Sequence, residues 1–184
     1  MPIEIEKKYR LTKKQRAAVE RRLREVGASS QPLEFEKNTL YRGGRIDFGS
    51  CALRLRRVGR RAILTFKQRL PSKSPIKHQR EEETEVADAD AAHRILTALG
   101  FRPALIYEKR RARWKVGKAK VVIDELPFGL FMEIEASEKK IVRVEALLGM
   151  EELPAVMETY PMLTVQLGKE RKGIVEARFK KTRR

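Results

Sequence analysis

The stretch Ile3-Glu-Ile-Glu-Lys-Lys-Tyr-Arg-Leu11 decides how the rest of the chain is read. Taken at the two-residue period of a strand, its odd positions Ile3, Ile5, Lys7, Tyr9 and Leu11 are largely apolar. Its even positions Glu4, Glu6, Lys8 and Arg10 carry two acids and two bases. One such strand could simply show its charged side to water. The pattern recurs, however. Arg54 and Arg56 alternate with Leu53 and Leu55, Glu133 and Glu135 with Met132, Ile134 and Ala136, and Lys109, Arg111 and Arg113 with Ala112, Trp114 and Val116. Several strands that are charged on one face and apolar on the other imply a single lined concavity.

The composition suits one soluble domain. At 184 residues, 41% hydrophobic and 36% charged, the chain is long enough to bury a core. No apolar run approaches the roughly 18 residues of a membrane span, and no signal-peptide hydrophobic region opens the chain. Cys51 is the only cysteine, which excludes an internal disulfide and a thiolate metal site and makes a cytoplasmic location the expectation. The balance of 42 Lys and Arg against 25 Asp and Glu, a net +17, calls for an anionic partner, either a nucleic acid or a small polyphosphate. Acids paired at strand spacing, Glu4/Glu6 and Glu133/Glu135, do not suit a nucleic-acid face, so that partner is not favoured.

Taken in order, the chain alternates regularly. Thr12-Lys-Lys-Gln15 has the form of a capping box, followed by Val19, Leu23 and Val26 at helical spacing and by Gly27. Strands are predicted over 33–41, 52–57 and 61–69, then an exposed loop over 71–75. A strand over 77–86 leads to Asp88 or Asp90 as an N-cap and to a helix ending at Gly100. Strands over 104–116, 120–126 and 130–136 follow. Strand, helix and three strands thus occur twice, an internal duplication with little residue identity. A helix opens at Ser137, a shorter helical piece lies around 155–167, and the basic segment 169–184 reads as a tail beyond a domain of residues 1–168. Eight strands with short connections predict an α+β fold, an eight-stranded antiparallel β-barrel with its helices outside against the apolar strand faces. The charged faces then turn inward. An interior of Arg, Lys and Glu is costly unless it holds water and a charged ligand.

Clustered bases on rigid strands suit a polyphosphate. The candidates are Lys8, Arg54, Arg56, Lys67, Lys109, Arg111 and Arg113, with Lys67 sharing a face with Thr65 and Arg69. The acids Glu4, Glu6, Asp124, Glu133 and Glu135 suit a hard divalent ion, Mg2+ or Mn2+, with Asp124 inward if Val121 and Ile123 point out. His78 and His93 lack partners for a triad, Trp114 reads as outer core, and no Gly-rich phosphate loop is present.

At these residues the chain resembles the CYTH superfamily of triphosphate tunnel metalloenzymes. The resemblance rests on Glu4-x-Glu6-x-Lys8, ALRLRR with Arg54 and Arg56, LTFK ending at Lys67, EKRRARW with Lys109 and Arg111, and IDELPFGLFMEIE with Asp124, Glu133 and Glu135. It spans residues 1 to about 165. It implies a triphosphate-containing substrate and metal-dependent catalysis, with bases holding phosphate, acids holding metal, and Glu4, Glu6, Lys8 and Lys67 at the chemical step. Hydrolysis of inorganic triphosphate, thiamine triphosphate or a nucleotide is the expected reaction. The alternatives are a class IV-type adenylate cyclase and a non-catalytic polyphosphate- or RNA-binding module. Arg42 stands where family members often have Asp. The inward register of Arg80–Glu85 is open between Glu81 with Glu83 and Arg80 with Glu82. Lys169, Arg171 and Lys172 are candidates for a basic residue closing the tunnel, and monomer and homodimer both remain open.

Overall fold

The alternation of Ile3–Leu11 is realised in β1 (Ile3–Leu11), and the same rule generates seven further long strands. The computed structural model describes residues 3–47, 49–72 and 74–180. In chain order they form β1, α1 (Lys13–Glu25), β2 (Ser29–Ser30), β3 (Glu34–Arg42), β4 (Cys51–Val58), β5 (Arg61–Arg69) and β6 (Lys77–Val86). Next come α2 (Ala89–Ala98), β7 (Arg102–Val116), β8 (Ala119–Leu126), β9 (Gly129–Glu135), α3 (Glu138–Leu148), α4 (Tyr160–Leu167), β10 (Lys169–Arg171) and β11 (Ile174–Ala177).

Eight of these strands close on themselves in the order β7-β3-β4-β5-β6-β1-β9-β8 and back to β7, every pair antiparallel. The duplication is visible in this order. Exchanging β1, β3, β4 and β5 with β6, β7, β8 and β9 maps each barrel pairing onto another, so the two units are related by a pseudo-two-fold arrangement.

The helices lie where the apolar strand faces need cover. Thr12 accepts from Gln15 N while Gln15 Oε1 accepts from Thr12 N at 2.8 Å, which starts α1 as a capping box. Val19 and Leu23 of α1, with Ile141, Val144 and Leu148 of α3, pack on Tyr9, Leu11, Val121, Ile123, Met132 and Ile134. Each such fully buried side chain contributes about 1.5–3 kcal/mol. Lys7 interrupts the apolar face of β1 because the buried Glu145 of α3 reaches it at 2.6 Å and also accepts from Tyr9 OH at 2.5 Å. Asp88, not Asp90, caps α2, which covers Tyr41 and Leu55.

Two expectations change. The helical piece is confined to Tyr160–Leu167, since the preceding residues are drawn alongside β1: Val156 N donates to Lys8 O at 2.7 Å. The basic segment from 169 is also not simply a tail. β10 and β11 form a hairpin, and β11 pairs in parallel with Leu105–Tyr107 of β7, in the gap that β8 leaves by pairing only with Arg110–Val116.

Candidate functional site

Inside the barrel the even residues of β1, β3 and β4 and the odd residues of β5, β6 and β7 converge on one cavity of about 930 Å3. One end is formed by the β4–β5 and β7–β8 hairpins, with Ser29, Gln31, Lys115 and Lys118 on its rim. The other is narrowed by an apolar cluster in which Leu40, Leu105, Leu126 and Phe131 point inward and Tyr160 and Leu163 of α4 pack among them. The Phe131 and Tyr160 rings meet edge to face at 5.5 Å.

Between these ends the wall is a lattice of acids and bases. Lys8 lies 3.3 Å from Glu133, with its ammonium 3.9 Å from the centre of the Tyr160 ring and donating to Glu158 O at 3.2 Å. Lys67 pairs with Glu4, and with Glu81 at 3.1 Å. Arg111 grips Asp124 through two hydrogen bonds and also reaches Glu133 at 2.8 Å. Arg113 pairs with Glu34 and, at 2.8 Å, with Glu36. Of the arginines, Arg54 and Arg56 are held least: their nearest acids are Glu83 at 3.8 Å and Glu36 at 3.6 Å.

All seven basic candidates therefore line one cavity, and the open register resolves as Glu81 and Glu83 inward, paired across from Lys67 and Thr65. Three contributors were missed. Lys77, buried at the start of β6, lies 3.7 Å from Glu6. Its inward position follows from the β6 register and could be found only once that register was known. Glu36, fully buried, sits 3.3 Å from Lys109 and shares the parity of Glu34. Tyr160, donating to Asp124 at 2.8 Å, lies beyond the barrel strands and left no periodic signal.

The acids divide. Asp124 is inward, with Val121 and Ile123 outward as expected, but Arg111 and Tyr160 take up both of its oxygens. Its geometry is that of a residue anchoring Arg111. Glu135 stands at the rim, 2.7 Å from Lys120. Glu4, Glu6 and Glu133 remain. Burial, and then Glu133 beside it, push the Glu6 carboxyl above its ordinary value; Glu4 adds to this, while Lys8 and Lys77 oppose it. Carboxylates that repel one another on one wall are an all-oxygen donor set, which fits Mg2+ or Mn2+. As the side chains stand each is turned to a base, and among the described residues no three acids converge as a metal cage.

The bases are tuned by crowding. Burial, with Arg111 close by, lowers Lys109 to about 8, and burial with Lys8 close by lowers Lys77 to about 8. Burial alone would raise Glu36, yet Lys109, Arg111, Arg56 and Arg54 hold it well below the carboxylate range. Four bases crowded on one buried carboxylate make this part of the wall locally positive, which suits an anion.

The sequence profile of the CYTH domain matches residues 2–152. The chain belongs to the CYTH family. No curated protein matches it. Solved structures share the CYTH barrel. The PH1012 protein of Pyrococcus horikoshii OT3 superposes with a TM-score of 0.74 at 24% identity, over 85% of this chain and 96% of that one. The PH1819 protein of the same organism gives 0.72 at 25%, over 89% and 98%. HpAC1 of Hippeastrum, named for adenylyl cyclase and reported to have a dominant triphosphatase activity, gives 0.67 at 17%, over 89% and 95%. Lys169, Arg171 and Lys172 do not close the barrel as expected for some CYTH relatives. They lie exposed on the β10–β11 hairpin, and Tyr160 and Leu163 occupy the barrel end instead. Trp114 packs against the outer core as expected. His78 and His93 pair with Glu138 at 2.8 Å and Tyr41 at 2.9 Å, away from the cavity. Among the described residues no helix is long and apolar enough to cross a membrane.

Proposed function

We propose that this CYTH chain is a divalent-metal-dependent triphosphatase of the cytoplasm that draws the triphosphate of a small molecule into the barrel. The observation that carries this reading is the convergence of Lys8, Arg54, Arg56, Lys67, Lys109, Arg111 and Arg113 on one cavity, with the Arg54 and Arg56 guanidiniums beyond hydrogen-bond distance of any acid. Glu4, Glu6 and Glu133 would hold Mg2+ or Mn2+, which when bound supplies a polarised phosphoryl oxygen and a water of lowered pKa.

The chain's own residues account for the rest. Arg54 and Arg56 offer guanidinium forks to non-bridging oxygens, and the ammoniums of Lys8, Lys67, Lys77 and Lys109 act as point charges along the phosphates. Charge that develops as the terminal P–O bond breaks and water adds to phosphorus falls on oxygens already facing these groups. Arg111 cannot drift, because Asp124 fixes its plane. Orthophosphate and the shortened phosphate are the products.

A panel of triphosphates incubated with Mg2+ or Mn2+ tests this. Inorganic triphosphate should be turned over faster than ATP, releasing orthophosphate. Cyclic AMP and pyrophosphate from ATP, with inorganic triphosphate only inhibiting, would transfer the chain to the cyclases. Binding without any turnover would make it a polyphosphate-binding module.

A further inference from the structure

The lattice has one defect. Among the inward positions of β3, Glu34 and Glu36 carry charge, and the next, Asn38, is neutral. Asn38 is fully buried, and neither its Oδ1 nor its Nδ2 has a hydrogen-bond partner. Its cross-strand neighbours are Arg56 on β4 and Tyr107 on β7, with Arg54 on the diagonal. Arg54 Nε, Arg56 Nε and Glu36 Oε2 are buried and make no hydrogen bond either, although Glu36 Oε2 lies 3.3 Å from the Lys109 ammonium. Five unsatisfied polar atoms on two adjacent strands are far from the usual rule for buried groups. Donors and acceptors are both present, yet the arrangement leaves them unpaired.

We infer that Asn38 is a positioning residue that keeps the Arg54–Arg56 pair uncompensated, so that these two guanidiniums are the part of the wall most available to an anionic ligand. This rests on the triphosphate reading above. Lys8, Lys67, Lys109, Arg111 and Arg113 each have an acid within 3.3 Å, whereas Arg56, Lys77 and Arg54 have none nearer than 3.6, 3.7 and 3.8 Å, and Arg54 and Arg56 are the two guanidiniums of these three. An aspartate at position 38 would have the same shape and would place a carboxylate directly across from Arg56, about 5 Å away at Cβ. The neutral amide withholds that charge. The surplus is felt by its neighbours: burial and the adjacent Arg54 lower Arg56 to about 10. A neutral group at this spot leaves the free protein less satisfied and the ligand better held.

The test uses the full chain, inorganic triphosphate as probe, and two variants. Asn38→Asp should melt higher than wild type without ligand and bind triphosphate roughly tenfold more weakly, about 1.4 kcal/mol. Asn38→Leu, neutral and of similar volume, should bind triphosphate within a few-fold of wild type, because it too leaves the arginines free. A purely structural role would give the reverse pattern, with both variants melting lower and both binding normally. Asn38→Asp that melts higher yet binds as tightly as wild type overturns the assignment, as does Asn38→Leu that loses binding. Wild-type protein with no affinity for triphosphate would instead remove the triphosphate reading and the ligand role with it, while the melting order of the variants would still show whether the arginines lack a counter-charge.

Discussion

Arg111 and Asp124 face each other across β7 and β8 in a two-point grip, Nε to Oδ1 at 2.7 Å and Nη2 to Oδ2 at 2.5 Å. Asp124 is fully buried, and Lys109 and Tyr160 also lean on it, at 3.6 and 2.8 Å. Removing it leaves buried Arg111 without its nearest acid and Lys109 with Glu36 alone. Asp124→Ala should therefore lose about 3–5 kcal/mol in denaturant unfolding, together with triphosphate turnover. Stability within 1 kcal/mol of wild type would show that the grip is dispensable.

Glu133 and Glu135 should not behave alike. Glu133 is inward between Lys8 and Arg111, whereas Glu135 is at the rim beside Lys120. Glu133→Gln should lower metal-dependent turnover on the order of 10²-fold or more while leaving triphosphate binding largely intact, because the bases remain. Glu135→Gln should have the smaller effect. Steady-state rates against metal concentration, with calorimetric binding, compare the two, and equal losses would count against Glu133 as the ligating acid.

Lys77 and Lys109 set a pH dependence. Both fall from 10.5 to about 8 in the folded chain, so each sheds its proton as pH rises through 8. Triphosphate affinity should be greatest below pH 8 and weaken above it, with protons taken up on binding near pH 8. Calorimetry in buffers of different ionisation enthalpy reads that uptake. The stability effect has the opposite sign. Between about pH 8 and 10.5 the unfolded lysines hold more protons than the folded ones, so this contribution stabilises the fold as pH rises through that window. Pairwise Lys77→Met and Lys109→Met variants should flatten both effects.

Triphosphate should itself stabilise the protein, because it relieves the repulsion among the inward bases. At ligand a hundredfold above its dissociation constant the gain is about 2.7 kcal/mol. Thermal melting measures it, and an unchanged melting temperature at saturating triphosphate would argue against an anion-binding interior.

Much of this architecture is legible in the chain because a barrel strand has two solvents. Ile5 and Tyr9 meet helices while Glu4, Glu6 and Lys8 meet the cavity, and a period of two records that division without ambiguity. The capping box at Thr12 and Gln15 is equally local. What could not be read depends on distance. REEETEV offers charges at both parities, so only pairing with β5 shows that Glu81 and Glu83 turn inward. Asp124 has the right parity for a metal ligand, but Arg111 and Tyr160, 13 and 36 residues away, take it over. The hairpin at Lys169–Ala177 was hidden by its charge, because nothing local in a basic segment announces that β7 has an unpaired edge.

The place of β1 in the circle has a consequence for how the molecule folds. β3 to β6 form one run of neighbouring hairpins and β7 to β9 another, and both can form from residues close in sequence. β1 joins them on one side, and its partners β6 and β9 lie 71 and 125 residues further along, as measured by Glu6–Lys77 and Lys8–Glu133. Closing such long loops is slow and comes after the local turns. The other join, β3 to β7, spans 73 residues as measured by Glu36–Lys109, so the pairing of Lys8 with Glu133 is the longest closure, and no form of the chain lacking it has the whole cavity. Recovery of triphosphate binding after dilution from denaturant should lag behind recovery of strand signal, reporting the moment the circle shuts.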